Sequence, residues 1–98
     1  MTVKLAILIQ TRPGQANRQI EAFARLAPVV RAERGCMSYN LHRVEGDEES
    51  FLLLEEWASE EDLAAHDEAP HMVAQDVLNA EFRAGPVKAL RYSPTPVA

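Results

Sequence analysis

Cysteine is almost missing from this 98-residue chain. Cys36 stands alone, so no disulfide can form within the chain, and cysteine usage gives no pointer to an oxidising compartment. With no base near it in the sequence, Cys36 reads as a small buried apolar residue rather than a nucleophile. Long apolar runs are missing as well. The longest, Leu5 to Ile9, falls far short of the roughly 20 residues that cross a bilayer, and no basic leader with a small-residue cleavage site precedes it. No membrane partner and a cytoplasmic location are therefore expected. Positive charge is scarce: ten Lys and Arg against fifteen Asp and Glu leave a formal charge of -5. The basic residues are scattered, whereas a grip on nucleic acid needs them clustered against phosphate, so no nucleic-acid partner is expected. Phosphate loop, nucleophile elbow and dinucleotide fingerprint are all absent from the sequence.

What is present suits one small folded domain, expected over residues 1–93 with a Pro-rich tail at 94–98. Hydrophobic residues make up 47% and charged residues 26%, the balance of a globular chain. Val3, Leu5, Ile7 and Ile9 alternate with Lys4, Ala6, Leu8 and Gln10, which predicts a first strand over Thr2 to Thr11. After Arg12-Pro13-Gly14, the residues Ala16, Ile20, Phe23, Ala27 and Val30 recur at helical spacing, with Pro28 expected to kink or divide that helix. Gly35 closes it. Alternation returns from Cys36 to Val44, with Met37, Tyr39 and Leu41 assigned to one face and Ser38, Asn40 and His42 to the other. The acidic stretch Glu45 to Ser50 reads as a connection and Phe51 to Trp57 as the third strand. Ser59 is an N-cap with Asp62 at the third helical position, and Pro70 should end that helix and open another to about Phe82, striped by Val73, Val77 and Leu78. Val87 to Tyr92 supplies the last strand.

This order is a split βαβ pattern with its second helix broken in two, an α+β arrangement with helices on one face of an antiparallel sheet. The third strand carries Phe51 and Leu53 on one side and Leu52 and Leu54 on the other, so both faces of the sheet need cover. A small domain gains from burial supplied by a partner. A second copy about a twofold axis is the simplest cover, and a homodimer is expected.

Chemistry-bearing residues concentrate between Glu55 and His71, in Glu55-Glu56-Trp57-Ala58-Ser59 through His66 to Pro70-His71. This run resembles the antibiotic biosynthesis monooxygenase family, in which a strand ending Glu-x-aromatic leads through a capped helix to a histidine and then a Pro-His pair. Pro13-Gly14, Gly35-Cys36 with Tyr39, and Gly85-Pro86 also fall where that family has them, so the resemblance spans about Val3 to Leu90. It implies a ferredoxin-like fold of the dimeric α/β-barrel type with a cavity between sheet and helices. Some members oxygenate quinols or polyketide phenols without metal, flavin or haem; others degrade haem, process a phosphorylated signalling sugar, or have no assigned reaction.

The individual residues can be weighed on their own terms. Glu55 sits on an otherwise apolar row, where it must be paired or, if desolvated, have a raised pKa suited to acid–base work. His66 lies three residues beyond Leu63 on the face turned to the sheet, where an imidazole could take a phenolic proton or serve as a hydrogen-bonded core group. His71 opens the second helix as a capping group or a hydrogen-bond donor to substrate. Trp57, Tyr39 and Phe51 are candidates for the substrate wall, with core packing as the alternative for Trp57 and Tyr39. His66 and His71 are five apart with Pro70 between them, a spacing that argues against a metal site. The expectation is thus a cofactor-independent monooxygenase acting with dioxygen on a small quinol or electron-rich phenol, with His66, Glu55 and His71 catalytic and no metal. Alternatives are an isomerase on a small oxygenated metabolite, a non-catalytic dimeric binding or stress module and, last, a haem-degrading enzyme.

Overall fold

The computed structural model describes residues 1–98. Its elements run β1 (Val3–Gln10), α1 (Ala16–Arg31), β2 (Cys36–Val44), β3 (Asp47–Trp57), α2 (Glu60–Glu68), α3 (Pro70–Asn79) and β4 (Lys88–Tyr92). The four strands form one antiparallel sheet in the order β2-β3-β1-β4. This is the split βαβ arrangement expected from the sequence, an α+β fold of ferredoxin-like type.

Register places the large side chains of the two central strands in line. Val3, Leu5, Ile7 and Ile9 of β1 lie opposite Trp57, Glu55, Leu53 and Phe51 of β3, and Tyr39 and Leu41 of β2 continue the row opposite Glu55 and Leu53. These residues make the inner face. With Ala27 and Val30 of α1 and Leu63 of α2 they form the buried core, to which each large side chain contributes about 1.5–3 kcal/mol. Only Glu55 breaks the apolar row.

Several local expectations are corrected. β3 begins at Asp47 instead of Phe51, because its acidic start pairs back across the two-residue turn at Glu45-Gly46, where Gly46 takes a positive φ. Such a hairpin end is solvated on both faces and reads as loop from composition alone. A register shift between Cys36 and Ser38 sets Cys36 opposite Trp57 and leaves Met37 exposed, so Met37 does not share the inward face of Tyr39. Pro28 does not divide α1, since burial of Ala27 and Val30 on either side of it secures the last turn. Gln19 and Ala22 are buried on α1 where Ile20 was expected. On α3, Val73, Val77 and Leu78 face outward, and the side turned to the sheet carries Met72, Gln75 and Asn79 instead. No helix is long and apolar enough to cross a membrane.

The outer sheet face is uncovered. Leu8 on β1 and Leu90 and Tyr92 on β4 are all exposed there, beside the half-buried Leu52 and Leu54 of β3.

Candidate active site

The break between α2 and α3 organises the site. Ser59 caps α2 by accepting the Asp62 N–H at 3.1 Å, and Ala69 then takes an extended conformation before Pro70 starts α3. His66 therefore ends one helix and His71 begins the next. Both rings turn to the same carboxylate: His66 Nδ1 lies 2.9 Å from Glu33 Oε2, and His71 Nε2 lies 2.7 Å from the same oxygen. The helix break that argues from spacing against convergence is what brings the two histidines together.

Glu33 owes its place to Gly35. That glycine has φ +80°, and a Cβ there would collide with the Asp62 side chain, so only glycine lets the turn after α1 close onto the start of α2. Sequence reasoning missed Glu33. Within Arg31-Ala32-Glu33-Arg34 it looks like one more solvated charge at a helix end, and its single local signal is the glycine two residues on.

The other nitrogen of His66 points towards the sheet, with Nε2 3.9 Å from Glu55 Oε1. The imidazole is only 3% exposed, tilted over the Trp57 indole at 4.5 Å and edge-on to Tyr39 at 5.9 Å. Glu55 is buried too, and its Oε1 accepts the indole N–H of Trp57 at 2.9 Å. Burial pushes the Glu55 carboxyl pKa up, opposed by the indole hydrogen bond and by the His66 imidazole. Tyr39 is stacked on Phe23, and burial, reinforced by the Glu55 carboxylate, drives its phenol pKa well above the ordinary range. Its hydroxyl stays protonated and is a donor at neutral pH.

Tyr39, Glu55 and His66 open onto a cavity of about 200 Å³ between the sheet and the helices, walled by Ile7, Ile9, Phe23 and Leu53. A chamber of this kind, mostly apolar with a few convergent polar groups, suits a small organic molecule. Trp57 and Phe51 do not line it: both are fully buried beneath, Trp57 holding Glu55 and Phe51 filling the core. His71 stands outside it, half-buried, with its ring on Glu33. His42 faces solvent from β2. Six further polar residues that sequence reasoning missed, Gln19, Asp67, Gln75, Asp76, Asn79 and Arg83, also line the cavity.

Glu33, His66 and His71 are the residues that could hold a metal, since their donor atoms lie within 4.8 Å of one another. However, the separations of 2.7 and 2.9 Å are hydrogen-bond lengths, and Glu33 Oε2 itself occupies the point of convergence. A cation site would instead leave a hollow there, about 2 Å from each donor atom. The geometry is that of a carboxylate bridging two imidazoles.

A carboxylate-oriented histidine beside a buried carboxyl and a phenol, at the edge of an apolar chamber in a ferredoxin-like α+β domain, is an arrangement that can exchange a proton with a small bound molecule. Comparison with known proteins supplies the family. The family model described as antibiotic biosynthesis monooxygenase matches residues 2–75, and the chain belongs to that family. It is 36% identical over 93 residues to "Probable quinol monooxygenase YgiN" of Escherichia coli, an alignment covering 76% of this chain and 88% of the relative. The solved structure of PA3566 from Pseudomonas aeruginosa superposes with a TM-score of 0.88 at 25% identity, covering 97% of this chain and 95% of that one. Rv0793 from Mycobacterium tuberculosis, at 24% identity, shares the fold with a TM-score of 0.88 over 100% of this chain and 99% of its own. The function is accordingly monooxygenase-like, on a small-molecule substrate.

Proposed function

We propose that the protein is a cofactor-independent monooxygenase that oxidises a quinol or similar electron-rich phenol with dioxygen. The observation that carries this reading is the Glu33–His66 pair, whose second nitrogen faces Glu55 on the wall of the apolar cavity that both His66 and Glu55 line. Contact with Glu33 fixes Nδ1 as the donor, so Nε2 keeps its lone pair for a substrate hydroxyl, and the carboxylate offsets the imidazolium charge that develops. His71 holds Glu33 in place. Burial shifts the Glu55 carboxyl towards its protonated form, which weakens it as a second ionic partner for His66, and the Tyr39 hydroxyl is the donor to substrate oxygen.

Deprotonation matters because a phenolate gives an electron to dioxygen far more readily than a phenol. The resulting radical pair, kept from water by Ile7, Ile9, Phe23 and Leu53, recombines to a hydroperoxide. One oxygen atom stays on the ring and the other leaves as water, so a quinol and dioxygen give a hydroxyquinone and water with every electron supplied by the substrate.

Oxygen uptake by EDTA-dialysed protein with a panel of reduced naphthoquinols tests this. The expected result is uptake above the autoxidation blank, unchanged by the chelator. Loss of activity on dialysis, restored by a divalent cation, would overturn the cofactor-independent reading, and turnover without oxygen would replace oxygenation by proton-transfer chemistry.

A homodimer is part of the same reading. It is supported by the uncovered outer face, where Leu8, Leu90 and Tyr92 would otherwise remain in water. Light scattering should give twice the chain mass of 10.9 kDa, and Leu90→Asp should shift the population towards monomer. A wild-type protein that scatters as a monomer at tens of micromolar would remove the dimer.

A further inference from the structure

A second group of polar side chains lies on the same cavity and takes no part in the proton chemistry above. Arg83 follows α3 and is anchored by its backbone to Asn79 and Thr11. Its side chain is half-buried, and its Nε donates to Gln19 Oε1 at 3.0 Å. Neither terminal nitrogen of this guanidinium makes a hydrogen bond or an ion pair within the chain, although acidic residues outnumber basic ones. Buried cations are normally paired, because removing them from water is costly.

Its neighbours have the same polarity. Gln19, on α1, is 3% exposed; an arginine has only donors to offer, so the amide oxygen must face Arg83 and the amide nitrogen is left without a partner. Asn79, at the end of α3, is 7% exposed and accepts from Gln75 Nε2 at 2.8 Å, which likewise leaves its nitrogen without a protein acceptor. No buried side-chain nitrogen is sealed off unsatisfied, so these donors open onto the cavity they line. Arg83 and Asn79 also line the open pocket adjoining it, which His66 and Glu55 do not reach, and this sets the donor cluster at the mouth of the chamber. The carboxylates on the same rim, Asp67 and Asp76, belong to exposed residues; the Asp76 charge acts on Arg83, but no ion pair joins them.

We infer that Arg83, Gln19 and Asn79 form a carboxylate-binding subsite, and that the substrate is a hydroxylated aromatic acid whose carboxylate docks at the mouth while its ring hydroxyl reaches His66. The planar fork of arginine matches a carboxylate, and three converging donor groups leave none of its strong acceptors idle. This deepens the quinol reading by naming a substrate class, but it concerns binding and stands or falls without turnover.

The test is calorimetric titration of the full-length protein with 1-hydroxy-2-naphthoate and with its neutral carboxamide. The carboxylate is expected to bind about tenfold or more tightly than the amide, as charge-assisted hydrogen bonds require. Arg83→Gln should abolish that preference, weakening the carboxylate by about tenfold or more and the amide by less, and Arg83→Lys should retain part of it, with circular dichroism melts confirming that each variant is folded. Equal affinity for the two ligands, no binding of either, or an undiminished preference in Arg83→Gln overturns the inference. Carboxylate-selective binding together with no oxygen uptake on the naphthoquinol panel would instead sink the oxygenation reading and leave this one intact.

Discussion

His66→Ala is expected to lower kcat/KM for quinol oxygenation by about 10²- to 10⁴-fold, the range that one positioned base contributes. Its Nε2 faces Glu55 on the wall of the cavity, and no other imidazole lines that space. Free imidazole should restore part of the rate, because the alanine leaves a hole of matching shape beside Trp57 and Tyr39. A histidine needed only for packing would not be rescued in that way. Glu33→Gln should also reduce the rate, since an amide can turn its NH₂ to His66 Nδ1 and reverse the ring's tautomer. Full activity in His66→Ala would remove His66 as the base and direct attention to Glu55.

Trp57→Ala is expected to cost about 3–5 kcal/mol of stability, the range for truncating a buried large aromatic. Trp57 has no exposed surface, and it packs between the His66 ring and the inner strand row. In a domain whose whole stability is about 5–15 kcal/mol, that loss threatens folding at physiological temperature. Trp57→Phe keeps most of the packing but removes the indole N–H from Glu55, at a cost of about 1–3 kcal/mol.

The two kinds of loss separate by pH. Burial raises the Glu55 pKa, so the folded chain holds this proton more tightly than the unfolded chain. Stability therefore falls as pH rises from the ordinary glutamate value towards the raised one. The indole bond limits that fall by favouring the ionised carboxylate. In Trp57→Phe the fall should extend to higher pH, with the gap from wild type smallest in acid and widest in alkali. Chemical denaturation across that range checks it, and a gap independent of pH would show that the indole does not support the charge of Glu55.

Much of the fold is legible in the chain because period-two and helical spacings survive in local sequence. Val3 to Ile9 and Phe51 to Trp57 announce two central strands, and Ser59 with Asp62 announces a helix start that the Oγ-to-N–H bond realises. The errors fall where local pattern and tertiary placement diverge. Val73, Val77 and Leu78 form an apolar stripe that faces away from the sheet, while the polar Gln19 and Asn79 are buried. Donor side chains that line a cavity cannot be told from surface ones by composition. Glu33 lies 33 residues from His66, and no periodicity links them.

Residue order alone determined the α+β topology, the inward row that includes Glu55 and Trp57, the two apolar sheet faces and the family, since each is carried by spacing or by a contiguous motif. Only the tertiary structure decided that both histidines meet on Glu33, that Trp57 lies beneath the cavity rather than on its wall, and that Arg83 lines the cavity with no ion pair to its terminal nitrogens. Those facts depend on how the turn at Gly35, the break at Ala69 and the end of α3 close in space, and closure over such separations leaves no repeat in the linear chain.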